Sequence, residues 1–361
     1  MKIVNIIYSG LGGHSSVVFA LIEGDHSSKN EHSIIFFGVE CVPLGYIDKC
    51  KELGVEYFSV LKKPGIDIVS IKNVVCVLAK LKPKVIILHT VNLILPVSKY
   101  SFKNQIKLIA VEHQANELKL KKDWVYSILS MLLSDKVVYL TEIYKDQMKK
   151  TLGWVFKKKK VSVINNGINL LVYKPSNLSY NDKINIGMLS RLMPTKDHQT
   201  LIYSFSELLK QNTFKKKIVL NIAGDGSTKD NLKGLVKKLK IEDSVNFLGM
   251  IPENDSVDFL NSQNIYVHVS QGETMSTAIM QAMACNKAIV ASDVEGINNM
   301  LENKVTALLI PPKNRIKLTE AFILLIENDV LRKKISKNAL EYANQHFSND
   351  IMFQKYCKLF N

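Results

Sequence analysis

Short apolar runs alternate along the chain with longer segments whose apolar residues recur every three to four positions, the periods of a buried strand and an amphipathic helix. In the first half the strand-like runs are Ile3 to Tyr8, Ser33 to Gly38, Val85 to His89, Lys107 to Glu112 and Lys136 to Leu140. In the second half they are Ile184 to Leu189, Ile218 to Ala223, Val245 to Leu248, Ile265 to Val269, Ala288 to Ala291 and Thr306 to Ile310. Apolar runs spaced by helix-length stretches predict parallel sheets flanked by helices, and the rhythm occurs twice. Between the halves lies Val161 to Pro175, in which Asn166-Gly167 and Lys174-Pro175 mark turns, followed by a polar tract from Ser176 to Asp182, so the hinge is expected there. The expected division is a first domain over 1–170, a second over 171–345 and a terminal helical segment over 346–361.

A length of 361 residues suits two domains, and 47% hydrophobic with 22% charged residues is the balance of a folded protein. The five cysteines are scattered and never spaced C-x-x-C, so neither a disulfide framework nor a zinc site is expected, and a reducing, cytoplasmic compartment fits. Met1 to Tyr8 reads as a buried strand and not a leader, and the longest apolar runs are too short to span a bilayer. A formal charge of +15 favours anionic partners. Lysines cluster at Lys119, Lys121 and Lys122 and again from Lys145 to Lys160, but aromatics do not interleave with them, which argues against nucleic acid. Trp124 to Leu133 has a polar stripe at Asp123, Ser127, Ser130 and Ser134 opposite a broad apolar face. Two readings stay open: a helix packed under the first sheet, or one docked on an anionic membrane.

The candidate chemistry concentrates in the second half. Glu273 precedes Ser276 and Thr277, either of which can cap a helix whose first N–H groups would face a diphosphate, and Gln281 lies two turns on. Upstream, Arg191 and Lys196 follow a strand end, a planar fork and a compact charge suited to clamping phosphate. Asp-x-Asp is absent, so these cations and the helix end are expected to neutralise a departing diphosphate with no metal. In the first half, Gly10, Gly12 and Gly13 follow strand one, before a helix expected near Ser15 or Ser16. His89 and His113 each end an apolar strand; His89 reads as structural, and Glu112 as a neighbour of function or a surface carboxylate.

The Glu273-x7-Gln281 spacing, the Ser190-Arg191-Leu192 with Lys196 and the Asn166-Gly167-Ile168-Asn169 resemble the donor-site motifs of the retaining glycosyltransferases of family 4, which have the GT-B fold. The chain departs from that pattern at Gln281, where the family has Glu, at Ser190, where it has Gly, and at Asn286, where it has Gly. The resemblance implies two Rossmann-like domains facing a cleft, the final helix returning to the first domain. It implies Arg191 and Lys196 on the diphosphate, Glu273 on the sugar hydroxyls, Gln281 on the ribose and His113 where sugar meets acceptor. Gly12, Gly13, Gly224, Met250, Met275, Ser276 and Thr277 would line the donor. The implied reaction moves a sugar, with retention, from a nucleoside-diphosphate sugar, a UDP-sugar foremost, to a saccharide or lipid-linked acceptor in surface polysaccharide or glycolipid synthesis. No cofactor is expected. The alternatives are a non-catalytic or different-chemistry GT-B protein, and a basic nucleic-acid binder.

Overall fold

The computed structural model describes every residue except 11, 28, 177–182, 212, 213 and 361. Leu11 of the glycine loop, most of the polar tract after Pro175 and the final residue of the terminal segment lie outside the described residues. The chain forms two compact units, one of Met1–Asn169 with Asn349–Asn361 and one of Leu170–Ser348.

In the first unit seven parallel strands, β1 Lys2–Tyr8, β2 Glu31–Gly38, β3 Glu56–Leu61, β4 Val85–Leu88, β5 Lys107–Val111, β6 Lys136–Tyr139 and β7 Val161–Val163, stand in the order β3-β2-β1-β4-β5-β6-β7. Its helices are α1 Gly13–Glu23, α2 Leu44–Glu52, α3 Ile68–Leu81, α4 Ile94–Asn104, α5 Lys121–Leu133 and α6 Glu142–Leu152. Alternate residues of one strand serve both faces: Val4 and Ile6 pack with Val74 and Leu78 of α3 and Val97 of α4, while Ile7 packs with Val18 and Phe19 of α1. Asp67 starts α3 by accepting hydrogen bonds from the N–H groups of Val69 and Ser70, and Thr141 starts α6 through that of Tyr144.

The second unit has six parallel strands, β8 Lys183–Leu189, β9 Lys217–Ala223, β10 Val245–Gly249, β11 Ile265–His268, β12 Ala288–Ser292 and β13 Leu308–Ile310, in the order β10-β9-β8-β11-β12-β13. Around it run α7 His198–Lys210, α8 Lys229–Lys238, α9 Glu253–Asn261, α10 Thr277–Ala284, α11 Arg315–Glu327 and α12 Asp329–His346. Ile186, Met188, Leu220, Val267 and Val290 meet Phe205 of α7 and Phe322 of α11 in one core. Truncating either phenylalanine to Ala costs about 3–5 kcal/mol. The last helix, α13 Asn349–Phe360, belongs to the first unit. There the Asn349 N–H donates to Ile168 O at 3.0 Å, His26 lies 2.8 Å from Asp350, and Phe353 meets His32 edge-on.

The structure corrects several sequence expectations. β3 and β7 were not expected: β3 is half-exposed at a sheet edge, and β7 is three residues long inside the stretch read as a hinge. β13 begins at Leu308 and not Thr306, because the Thr306 N–H and hydroxyl are engaged with the Glu302 carbonyl in a turn. The second break falls after Ser348, since α12 continues to His346.

The helix at Trp124 to Leu133 packs under the first sheet through Tyr126, Leu129 and Met131, but its serine stripe is buried as well. Val125, Leu132 and Leu133 are exposed. The Ser127 hydroxyl donates to Asp123 O and accepts from Lys119 Nζ at 2.9 Å, while Ser134 donates to Ser130 O, so burial leaves these two hydroxyls bonded. Lys119 is correspondingly not a solvated lysine. It is buried, 3.0 Å from Glu112 and over the Trp124 ring, and Glu112 is thereby neither at the surface nor free.

Candidate active site

Both sheets reverse strand order beside their first strand, between β1 and β4 in one unit and between β8 and β11 in the other. Such reversal splays the loops that follow the two strands and leaves a crevice at the carboxyl edge, the usual ligand position in parallel α/β sheets.

In the second unit the loop after β8 is bonded to the end of β9 and the loop that follows it, and that loop in turn to the end of β10. Ser190 N–H donates to Ala223 O at 3.1 Å, Leu192 N–H to Asp225 O at 2.9 Å and Gly224 N–H to Gly249 O at 2.7 Å. Gly224 has φ +136°, and a Cβ there would lie 1.9 Å from Ser190 O, so the close approach requires glycine. Arg191, Gly224 and the exposed Met250 thus come from three interlocked loops. The Arg191 guanidinium is exposed and bonds to none of the described residues.

The turn Pro194–Lys196 is bonded to the loop after β11: Gln271 N–H donates to Thr195 O at 2.8 Å, and the Ser270 hydroxyl to the same oxygen at 3.2 Å. This places Lys196 Nζ on Glu273 Oε1. His268 Nε2 lies 2.8 Å from that same oxygen, and His268 Nδ1 lies 3.2 Å from the Tyr266 hydroxyl, itself 3.2 Å from Leu189 O. Burial alone would raise the Glu273 pKa, but the Lys196 charge and the His268 hydrogen bond outweigh it and bring it down to about 2. The carboxylate is therefore ionised at neutral pH. One of its oxygens is held from inside, and Oε2 bonds to none of the described residues.

Beyond Glu273 the chain enters α10. Ser276 occupies the N-cap position, but its hydroxyl makes no capping bond, contrary to expectation; Thr277 is the first helical residue. The first-turn N–H groups of α10 are thus left uncapped by side chain. Met275 and Gln281 are buried, and the Gln281 amide bonds to none of the described residues. Asn286, past the helix end, has φ +58°, a left-handed conformation that asparagine tolerates.

In the first unit α1 begins at Gly13, two residues before Ser15, with Gly12 extended at φ 171°. A Cβ on Gly12 would meet nothing within 4 Å, whereas one on Gly10 would lie 2.0 Å from a Glu40 side-chain oxygen and 2.6 Å from the Tyr8 ring, so packing crowds Gly10 and not Gly12. The Tyr46 hydroxyl lies 3.2 Å from both the N and the O of Gly12. His89 bridges Asn5 and His113, with Nε2 3.3 Å from Asn5 Oδ1 and Nδ1 2.8 Å from His113 Nε2, and the His14 ring lies 4.5 Å from that of His113. An amide oxygen only accepts, so with Asn5 oriented this way His89 carries its proton on Nε2 and accepts from His113 Nε2–H. Burial, then the His14 charge, brings His89 down to about 3, and burial with both neighbours lowers His113 well below the ordinary histidine range.

Sequence reasoning missed His268, Tyr266 and Asn5, because each lies within a buried strand and reads as core. Nor did it give Gly296 a role. Gly296 has φ +82°, and a Cβ on it would lie 2.1 Å from Glu273 O, so the loop after β12 abuts the backbone that presents the carboxylate.

Two parallel-sheet Rossmann-like units, the second with a cation–carboxylate cluster at its strand-order reversal, define the class: the architecture of the GT-B transferases. Comparison with known proteins agrees. Residues 171–342 match the family model described as glycosyl transferases group 1, and residues 11–170 that described as glycosyltransferase family 4. An uncharacterized glycosyltransferase of Methanocaldococcus jannaschii is 26% identical over 73% of this chain and 70% of its own length. The N,N'-diacetylbacillosaminyl-diphospho-undecaprenol alpha-1,3-N-acetylgalactosaminyltransferase of Campylobacter jejuni is 28% identical over 64% of this chain and 62% of its own length. Among solved structures, Anabaena HepE in complex with UDP and glucose superposes with a TM-score of 0.84 at 19% identity, over 99% of this chain and 98% of that one. TarM superposes at 0.82 with 16% identity, over 100% and 98%. The chain belongs to the family 4 glycosyltransferases of GT-B fold, and is a transferase of the EC 2.4 type.

Proposed function

We propose that this glycosyltransferase moves a sugar from a UDP-sugar to an acceptor hydroxyl with retention at the anomeric carbon, on the cytoplasmic side of the membrane, in surface polysaccharide or glycolipid synthesis. The observation that carries the reading is the Lys196–Glu273–His268 cluster, which presents one ionised carboxylate at the strand-order reversal, ahead of an uncapped helix N-terminus. A carboxylate with one oxygen fixed internally and the other open is an acceptor for sugar hydroxyls. Arg191, the helix end and Lys196 would stabilise the charge that builds on the departing diphosphate. Gln281 would hold the ribose, and Gly12, Gly13 and His113 would border the sugar and acceptor. Gly224, Met250, Met275, Ser276 and Thr277 would line the nucleotide. In this reaction the acceptor attacks from the leaving group's own face, and the departing phosphate takes its proton. The named Campylobacter relative uses a diphospho-undecaprenol saccharide, which supports a lipid-linked acceptor here.

The test is nucleotide release from UDP-, GDP- and ADP-sugars, with thermal shift as the binding readout, comparing wild type with Glu273→Ala in excess EDTA. The expected result is UDP release by the wild type, unaffected by EDTA and lost in the variant. Binding with no turnover across acceptors would favour a non-catalytic binder, and restoration by magnesium would end the metal-independent reading.

A further inference from the structure

The loop between β5 and α5 is closed at its two ends by one buried ion pair. Glu112, the residue after β5, and Lys119, two residues before α5, meet at 3.0 Å, with side chains 2% and 1% exposed. Glu112 is held at the sheet, its N–H donating to Val138 O at 3.1 Å. Lys119 is held at the helices: its ammonium donates to the Ser127 hydroxyl at 2.9 Å, lies 3.6 Å from Met148 Sδ, and stands 4.7 and 5.5 Å from the centres of the Trp124 and Tyr144 rings.

The segment between the two ions is fastened to the same support. The Tyr144 hydroxyl donates to Gln114 O at 2.6 Å and the Asn116 amide to Gln147 Oε1 at 3.0 Å, so Tyr144, Gln147 and Met148, on one face of α6, take hold of residues 114, 116 and 119. Inside the segment, the N–H groups of Leu118 and Lys119 donate to Ala115 O and Asn116 O at 3.1 and 3.2 Å. The pair is not built as a stabiliser. Glu112 Oε1 and, in the neighbouring strand, the Tyr139 hydroxyl are buried and bond to none of the described residues. Apolar side chains of like volume commonly serve stability as well as a buried ion pair does; what the ions add is a fixed separation between the elements that carry them.

The fixed segment starts at the carboxyl end of β5, next to β4 and its strand-order reversal, the edge at which parallel sheets take ligands. Its first residue, His113, lies 2.8 Å from His89, which follows β4. Consecutive side chains of an extended backbone diverge, so the carboxylate that goes inward to Lys119 fixes the backbone from which the His113 ring departs toward His89. We propose that Glu112 and Lys119 are positioning residues for sugar transfer: their pair fixes the segment from His113 to Leu118, and with it the approach of the acceptor hydroxyl. The inference rests on the catalytic reading for the acceptor, and on the bonds of the first unit alone for the segment.

The test compares Glu112→Leu with Lys119→Met, a double change that keeps the volume and removes both charges, with Glu112→Gln, which keeps an oxygen for Lys119 but not the charge. In the full chain without substrate, amide hydrogen exchange should quicken across residues 113–119 in the double variant and less so in Glu112→Gln, while β5 and α6 exchange as in the wild type. With UDP-glucose as donor and octyl glycosides of glucose, galactose and N-acetylglucosamine as acceptors, kcat/KM for the glycoside should fall roughly 100-fold in the double variant, the cost of about 1 Å of misplacement. Glu112→Gln should recover much of that loss, and KM for UDP-glucose and the thermal shift with UDP should stay those of the wild type throughout. Unchanged exchange across residues 113–119 would overturn the proposal, because the segment then holds itself. Loss of UDP binding together with transfer would also overturn it, by showing that the pair only supports the fold. Should the double variant not fold, Glu112→Gln decides: quickened exchange confined to residues 113–119 upholds the proposal, and exchange quickened throughout the unit or nowhere ends it. A wild type that transfers to none of the glycosides would count against the catalytic reading, and exchange would still decide whether the pair fixes the segment.

Discussion

Glu273 takes two donors, Lys196 Nζ and His268 Nε2, on a single carboxylate oxygen, and the consequences of that arrangement are local. His268 is buried, so its role is to hold the carboxylate's orientation and not to meet substrate. Replacing it by Phe removes a hydrogen bond to a charged group, worth about 1.5–3 kcal/mol. Sugar transfer should fall roughly 10- to 100-fold, and His268→Gln, whose amide can still donate, should recover most of it. Equal losses in the two variants, measured as kcat/KM on the best donor, would mean that the ring's bulk matters and not its N–H. The two cations should separate by stability. Arg191 is exposed and bonds to none of the described residues, so Arg191→Ala should change stability by no more than about 0.5 kcal/mol. Lys196→Met leaves the Glu273 charge without its main partner and should cost about 1–3 kcal/mol. Both should lower kcat more than they raise KM, because charge on the diphosphate is greatest in the transition state. Thermal melts beside steady-state kinetics check both halves of the expectation, and a stable Lys196→Met would show that the ion pair does not support the fold.

At the scale of elements, the site is a junction of loops that follow parallel strands, and its precision comes from loop-to-loop contact. The turn after β8 bonds to the loop after β11, and the loop after β12 touches Glu273 through Gly296. Gly296→Ala adds a Cβ 2.1 Å from a backbone carbonyl at a left-handed φ, so the loop carrying Glu273 must move. The expected cost is about 1–3 kcal/mol in stability together with weakened donor binding, read by thermal shift with and without UDP. A variant that melts early yet retains the full UDP shift would separate the fold from the site. This junction was partly legible in the sequence. The order and spacing of Arg191, Lys196 and Glu273 were visible because loop residues beside apolar runs carry uncompensated charge. The supports were not. Tyr266 and His268 sit in a four-residue strand whose neighbours are all buried, so periodicity reads them as core. Lys119 reads as solvated because lysine usually is, and only the packing of Glu112, Ser127 and Trp124 around it reveals a buried cation. The same ion pair draws the serine stripe of α5 inward beside Met131, which leaves Val125, Leu132 and Leu133 exposed.

For the molecule as a whole, the alternating strand and helix pattern carried the two-sheet architecture, because parallel strands buried on both faces leave continuous apolar runs. What no pattern conveys is that five histidines have pKa values lowered chiefly by burial of the ring: His32, His89 and His113 in the first unit, His198 and His268 in the second. Burial is the largest cause at each; His89 and His198 are brought to about 3, and at His32 and His268 it outweighs an opposing bond to Asp25 or Glu273. In the unfolded chain these rings take up protons near pH 6.5. The unfolded state then binds more protons than the folded one at any pH between that value and the folded pKa, so stability falls as pH falls through this window. Each fully resistant histidine contributes a slope of about 1.4 kcal/mol per pH unit below pH 6.5, and His89 and His198, brought to about 3, supply one in each unit. The melting temperature should therefore drop steeply from pH 7 to 5, above the range in which Glu273, brought to about 2, begins to lose its own contribution. His198 lies 3.1 Å from the Ser190 hydroxyl and outside the Lys196–Glu273–His268 bonds, so His198→Gln is the cleanest probe. It should flatten the pH dependence of the second unit's melting by about one proton's worth while leaving stability at pH 8 within roughly 1–2 kcal/mol of the wild type. An unchanged slope would mean that His198 accepts a proton within the fold, and that its surroundings admit more water than its burial implies.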